Sequence, residues 1–163
     1  MKTHKCAIIV TAILVCIPCR ADDPNRQTIV EGNNKFALEL YSKLENQQGN
    51  LFLSPYSIST ALAIAYGGAK GTTAEQMVKT LCFPTTTGNT QFHKAFGEII
   101  KQLNAAGEKG GYELTVANAL WGQDGYKFLP EFLTLVKTNY DGNLEQVDFR
   151  TQAEAARNKI NAW

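Results

Sequence analysis

Residues 112–121, Tyr-Glu-Leu-Thr-Val-Ala-Asn-Ala-Leu-Trp, change from a helical period to a period of two. In an extended strand that period puts Tyr112, Leu114, Val116, Asn118 and Leu120 on one side and Glu113, Thr115, Ala117, Ala119 and Trp121 on the other. Both sets become mostly apolar toward Trp121, so the strand must be covered on both faces there. Only two other segments read as strands. Leu51-Phe52-Leu53 is a short continuous apolar run that fits a strand buried on both faces, and Leu144 to Phe149 comes after the turn signal Asp141-Gly142-Asn143. Three short strands leave their edges unpaired, and an open apolar edge is an aggregation hazard unless something pairs with it. The rest of the chain is helical in pattern. The sequence therefore predicts an α+β fold that does not close on itself, a piece of something larger.

The helical segments are readable one by one. Phe36, Ala37, Leu40, Tyr41 and Leu44 form one apolar face, with Asn33 or Asn34 as its cap and Gly49 at its end. Ser54-Pro55 suits the start of a second helix, whose stripe is Ile58, Ala61, Leu62, Ala65 and Tyr66. Gly67-Gly68-Ala69-Lys70-Gly71 breaks it. That run has the look of a phosphate loop, but Lys70 precedes Gly71 where the motif needs Gly-Lys-Ser/Thr. Thr72-Thr73-Ala74-Glu75 reads as a capping box for a third helix carrying Met77, Val78 and Leu81, stopped by Pro84. Phe92, Phe96, Ile99, Ile100 and Leu103 make a fourth, with a flexible loop over Gly107 to Gly111. Gly122 to Gly125 reads as a turn. Pro130, Phe132, Leu133, Leu135, Val136 and Tyr140 make a fifth helix. Thr151-Gln152-Ala153-Glu154 reads as a second capping box, opening an Ala-rich helix in which the chain stops at Trp163.

The first 21 residues read as a secretory signal peptide. Lys2 and Lys5 precede an apolar run from Cys6 to Ile17, and Pro18 and Cys19-Arg20-Ala21 supply the break and the small residues of a cleavage site. A lipoprotein signal is the weaker reading, because Val15 and Pro18 stand before Cys16 and Cys19. The run is too short for a transmembrane anchor of about 20 apolar residues. Residues 22–32, polar and holding Pro24, are expected to be a flexible mature N-terminus, with a domain from 33 to 163 after them. Of 16 Lys and Arg, Lys2, Lys5 and Arg20 lie before the cleavage point, which leaves 13 against 15 acidic residues, net −2. That balance excludes a typical nucleic-acid binder. Only Cys82 of the four cysteines stays in the mature part, so no internal disulfide forms, and its apolar surroundings make it a packing residue rather than a reactive thiol.

No catalytic constellation is present. His4 lies in the signal segment, and His93 is placed on the exposed side of its helix. There is no Gly-x-Ser-x-Gly, no Cys-x-x-Cys and no His-x-x-x-His. Cys82 and His93 cannot supply a zinc site, and the acidic residues lack calcium-loop spacing. Neither an enzyme nor a metal or other cofactor is expected. Lys94, Lys101 and Lys109 are too few and too spread for a heparin-type polyanion.

The run Gly49-Asn50-Leu51-Phe52-Leu53-Ser54-Pro55-Tyr56-Ser57-Ile58-Ser59-Thr60-Ala61-Leu62-Ala63 is very similar to a segment of the serpins, a family of serine-protease inhibitors, and Gly67 to Met77 resembles its continuation. Leu114 to Trp121, Leu129-Pro130-Glu131-Phe132, Val147-Asp148-Phe149 and Ile160-Asn161-Ala162-Trp163 resemble later segments of the same family, in the same order. The resemblance implies the N-terminal part of a secreted serpin, truncated within a helix. It implies suicide inhibition of a serine protease, with a cysteine protease second, through insertion of a cut bait loop into a central sheet. It also assigns a sheet-opening region to Asn50, Ser54, Pro55, Ser57, Leu62, Asn118 and Asn161. The bait loop and its reactive bond have no counterpart here, so the chain alone is expected not to trap a protease. Other readings are a non-inhibitory serpin acting as carrier or chaperone, and a truncated interaction protein that pairs its open edges.

Overall fold

The computed structural model describes residues 23–109 and 114–163, and the side chains of 107–109 are outside that description. Residues 1–22, which hold the signal-peptide reading, and 110–113, which hold the start of the long strand, lie outside the described residues. The elements run α1 (Pro24–Leu44), α2 (Pro55–Tyr66), α3 (Gly71–Thr80), α4 (Asn89–Lys109), β1 (Leu120–Gln123), α5 (Pro130–Tyr140), β2 (Leu144–Val147) and α6 (Ala153–Asn161).

α1 begins nine residues before Asn33. The Asp23 carboxylate accepts the Asn25 backbone N–H at 3.0 Å, and Pro24 takes the first turn, where its missing N–H costs nothing. Residues 24–32 are thus helical rather than a loose end, and Ile29 anchors them in the core at 1% exposure. At Gly32 the Cys82 carbonyl comes so close that a Cβ would lie 2.3 Å from its oxygen, so only glycine admits the chain leaving α3.

α2 starts as its sequence dictates. Ser54 accepts the Ser57 N–H at 3.3 Å, and Pro55 opens the first turn. Its apolar stripe does not face inward, however. Ser59, Thr60, Ala63 and Ile64 are buried, while Ile58 and Leu62 stay 38% exposed. The Thr60 hydroxyl escapes an unpaired burial by donating to the Tyr56 carbonyl at 2.8 Å. Leu51-Phe52-Leu53 is not a strand: no ladder partner exists among the described residues, and Phe52 is fully exposed. The capping box expected at Thr72–Glu75 does not form either. α3 starts one residue earlier, at Gly71 with φ +55°, and Lys70 at its cap gives no side-chain bond.

α4 is the central element and packs against both α1 and α5. It continues to Lys109, through the segment expected to become a loop at Gly107. Phe92, Ala95, Phe96, Ile99 and Ile100 are buried along it. Around them lies an aromatic cluster: Phe83 meets Phe92 at 4.8 Å, Tyr66 meets Phe92 at 5.3 Å, and Phe92 meets Phe96 at 5.0 Å between ring centroids.

β1, α5 and β2 form a parallel β-α-β unit with Leu120 opposite Leu144 and Gln123 opposite Val147. Among the described residues of the strand expected over 112–121, only Leu120 and Trp121 are strand, as the start of β1, and the expected turn at Gly122–Gly125 shrinks to its second half. Preceding residues are held without a ladder: the Asn104 side chain accepts the Val116 N–H at 2.8 Å and donates to its carbonyl at 3.4 Å. After β2, Asp148 makes the turn into α6. Its carboxylate accepts the N–H groups of Arg150 (2.9 Å) and Thr151 (3.0 Å), the Gln123 amide (3.2 Å) and the Thr151 hydroxyl. The expected capping box at Thr151–Glu154 is replaced by this arrangement, since the Thr151 hydroxyl is taken by Asp148 and α6 has no side-chain cap.

The Thr151 hydroxyl and N–H, with Gln123 next in weight, hold the Asp148 carboxyl down at about 2. A lowered carboxyl contributes fully above the ordinary range near 3.8 and loses its contribution as pH falls through 2. Asp148→Ala is expected to speed amide exchange at Arg150 and Thr151 near neutral pH while the β1–β2 register survives. Unchanged exchange at both amides would remove the turn-forming role.

Candidate functional site

The most chemically distinctive region lies where α2, α4 and α5 meet. His93, expected on the exposed side of α4, is fully buried. The reason is non-local: α5 brings Tyr140 over that face, and the Tyr140 hydroxyl sits 2.6 Å from His93 Nδ1. Rings enclose the imidazole, with Phe92 at 5.0 Å, Tyr140 at 5.7 Å and Tyr66 at 6.0 Å. Desolvation lowers the imidazole to about 4, so it is neutral at physiological pH. Desolvation likewise pushes the Tyr56 phenol up to about 12, and burial with the nearby Tyr56 raises Tyr140 still further.

Several polar atoms in this region are buried without a partner: Tyr56 Oη, Ser59 Oγ and His93 Nε2. They are exceptions to the near-universal pairing of buried polar groups. Ser59 and His93 are fully buried and no hydrogen bond joins them among the described residues, so the presence of a hydroxyl and a base does not make a hydrolytic site.

The family-matched residues are distributed differently. Ser54 and Ser57 come together at the α2 N-terminus, with their hydroxyl oxygens 2.9 Å apart, and both are exposed. Asn50 is exposed, Pro55 half-buried and Leu62 exposed on the outward face of α2. Asn118 precedes β1, half-buried, in a cavity shared with Asn104, Tyr140 and Trp163, and its Nδ2 is buried without a partner. Asn161 ends α6, exposed. Among the described residues no hydrogen bond links Asn118 or Asn161 to α2.

Other candidates fail chemically. Cys82 is half-buried, and burial, with Glu39 second, raises its thiol, which disfavours the nucleophilic thiolate. Among the described residues no three His, Cys, Asp or Glu side chains converge on a metal position. No described helix is long and apolar enough to cross a membrane.

The serpin family, described as serine protease inhibitor, matches residues 31–163. The chain belongs to the serpin family. A serpin-like protein of Methanosarcina mazei is 40% identical over 157 residues, covering 94% of this chain and 36% of that protein. The leukocyte elastase inhibitor of Bos taurus is 42% identical over 133 residues, covering 80% of this chain and 34% of its own length. The structure resembles cleaved kallistatin, solved in complex with heparin (TM-score 0.74, 28% identity, 84% of this chain and 40% of that one). Human thyroxine-binding globulin, solved in complex with thyroine, is also similar (TM-score 0.73, 34% identity, 85% and 37%). The chain spans about a third of the length of the curated relatives it matches, and its helix-rich architecture with a truncated sheet is that of an N-terminal serpin fragment.

The secreted assignment is corrected by these relatives. Leukocyte elastase inhibitors, matched at about 40% identity, are intracellular serpins and point against a secreted, signal-peptide protein.

His93, Tyr140, Tyr56, Ser59 and Thr60 were not legible as a unit. One signal was there: Gly97 stands one helical turn after His93, where glycine costs an amphipathic helix about 1 kcal/mol against alanine and so invites a packing reason.

Proposed function

We propose that this chain supplies the sheet-supporting N-terminal part of a protease-inhibiting serpin domain, whose complete form traps a serine protease. The observation that carries the reading is the match of residues 31–163 to the family together with about 40% identity to inhibitors of leukocyte elastase. Membership of a family described as serine protease inhibitors supports a non-catalytic role. In this reading Ser54 and Ser57, with Asn50, Pro55, Leu62, Asn118 and Asn161, form the region on which the central sheet parts. Hydroxyls 2.9 Å apart at an exposed helix start can exchange partners with a strand that slides past them.

The test is a chimaera. Residues 23–163 replace the equivalent third of a leukocyte elastase inhibitor, and the folded product is mixed with elastase. An SDS-stable complex of one chimaera with one protease is expected, and none is expected from this chain alone. A folded chimaera that elastase merely cleaves would overturn the inhibitory reading in favour of a carrier. A covalent complex formed by the isolated chain would overturn the assignment of trapping to the complete domain.

A further inference from the structure

Between α4 and α5 runs a groove of about 810 Å³, with His93, Gly97 and Leu135 on its walls and Lys94, Glu98, Lys101 and Glu131 as its charged groups. His93 is thus both a core residue and part of a groove wall. Its ring is held on one side by the Tyr140 hydroxyl at Nδ1, while Nε2 has no partner. From α2 it faces Tyr66 and the backbone of Gly67, where a Cβ would stand 3.4 Å from His93 Cε1. From α4 it faces Phe92, and from α5 Tyr140. The titratable groups around it are therefore phenols, and neither ring nitrogen meets a carboxylate. In the groove Lys94 is engaged with Glu98 at 3.9 Å.

An imidazolium cannot remain in such a place without cost: a buried charge needs a counter-charge or water. Inside the aromatic cluster it has neither. The groove offers both, with Glu98 and Glu131 among its charged groups. A move in that direction breaks the bond to Tyr140, a polar tie between α4 and α5. We propose that the His93–Tyr140 pair is an acid-released latch, in which charging the imidazole draws it off Tyr140 into the groove and loosens α4 from α5.

The sign comes from burial. The imidazole sits at about 4 when closed, against an ordinary 6.5 once exposed. A lowered base contributes fully to closure above about 6.5 and loses that contribution as pH falls toward 4. Between pH 7 and pH 5 the closed-to-open ratio should fall about 20-fold for a shift of that size.

The experiment is amide hydrogen exchange at pH 7 and pH 5, corrected for intrinsic rates, on residues 93–100 and 136–140 of the whole chain and of His93→Gln. Protection in the wild type is expected to fall about 20-fold, and protection in His93→Gln to be the same at both pH values. A wild-type change below about threefold, or an equal pH dependence in His93→Gln, overturns the latch. Should His93→Gln not fold, the His93 ring is titrated by NMR in the His4→Gln background. A midpoint below 6.5 at which the Asn139 and Tyr140 amide signals shift together with the ring supports the latch, and a ring titration that leaves those amides unmoved, or a midpoint near 6.5, overturns it.

Discussion

Replacing Phe92 with alanine is expected to remove about 4 kcal/mol of stability, read as a lower denaturant midpoint at unchanged slope. Phe92 is 2% exposed and lies within 5.3 Å, centroid to centroid, of Phe83, Tyr66, His93 and Phe96. Its loss removes the transfer free energy of a large ring. It also leaves a void that four other rings, fixed on α2, α4 and the segment after α3, cannot fill by small shifts. A domain has only about 5–15 kcal/mol in total, so this one change should leave much of the population unfolded. Phe92→Leu keeps most of the volume and should cost about 1 kcal/mol. Phe52→Ala, at a fully exposed ring, should be close to neutral. If Phe92→Ala and Phe52→Ala proved equal, the aromatic cluster would not be the centre of the fold.

That contrast also marks where the sequence could be read and where it could not. Some local signals were sound: Ser54-Pro55 does open a helix, Pro130 does begin α5, and Asp141, left-handed at φ 50°, does end it, whereas the two capping boxes, the Asn33 or Asn34 cap and the loop at Gly107 did not form. The buried stripe of α4 is the one its periodicity predicts. Errors came where a distant element decides a face. His93 looked exposed because nothing near it in sequence announces Tyr140, 47 residues on. On α2 the apolar side turned outward, and Leu51 and Phe52 lay exposed, because the described residues contain nothing that covers them. The family resemblance pointed to Ser54 and Ser57, whose hydroxyl oxygens lie 2.9 Å apart within the first turn of α2. It could not reveal the polar atoms left unpaired behind them, at Tyr56 and Ser59, because pairing is a property of packing and not of a motif.

Gly97 offers a test in which local preference and packing make opposite predictions. By helix propensity alone, alanine in the middle of a 21-residue helix should stabilise by about 1 kcal/mol, since glycine loses more backbone freedom on folding. In the fold, a Cβ at position 97 would stand 2.3 Å from the Asn139 carbonyl oxygen and 3.1 Å from two more backbone atoms of Asn139. Those are backbone atoms near the end of α5, so no rotamer change relieves the contact. α4 and α5 would have to separate, and separation also lengthens the 2.6 Å bond between His93 and Tyr140 one turn away. Overpacking of this kind costs about 1–3 kcal/mol or more, and the loss of the buried bond adds about 1 kcal/mol. The packing term therefore exceeds the propensity gain, and Gly97→Ala should come out destabilised by about 2 kcal/mol. Gly125→Ala, in open space but at φ +76°, isolates backbone strain from crowding. Denaturant midpoints for the two variants decide the matter. A Gly97→Ala protein more stable than the wild type would mean that α4 and α5 do not meet backbone to backbone, and the seating of His93 on Tyr140 would fall with that contact.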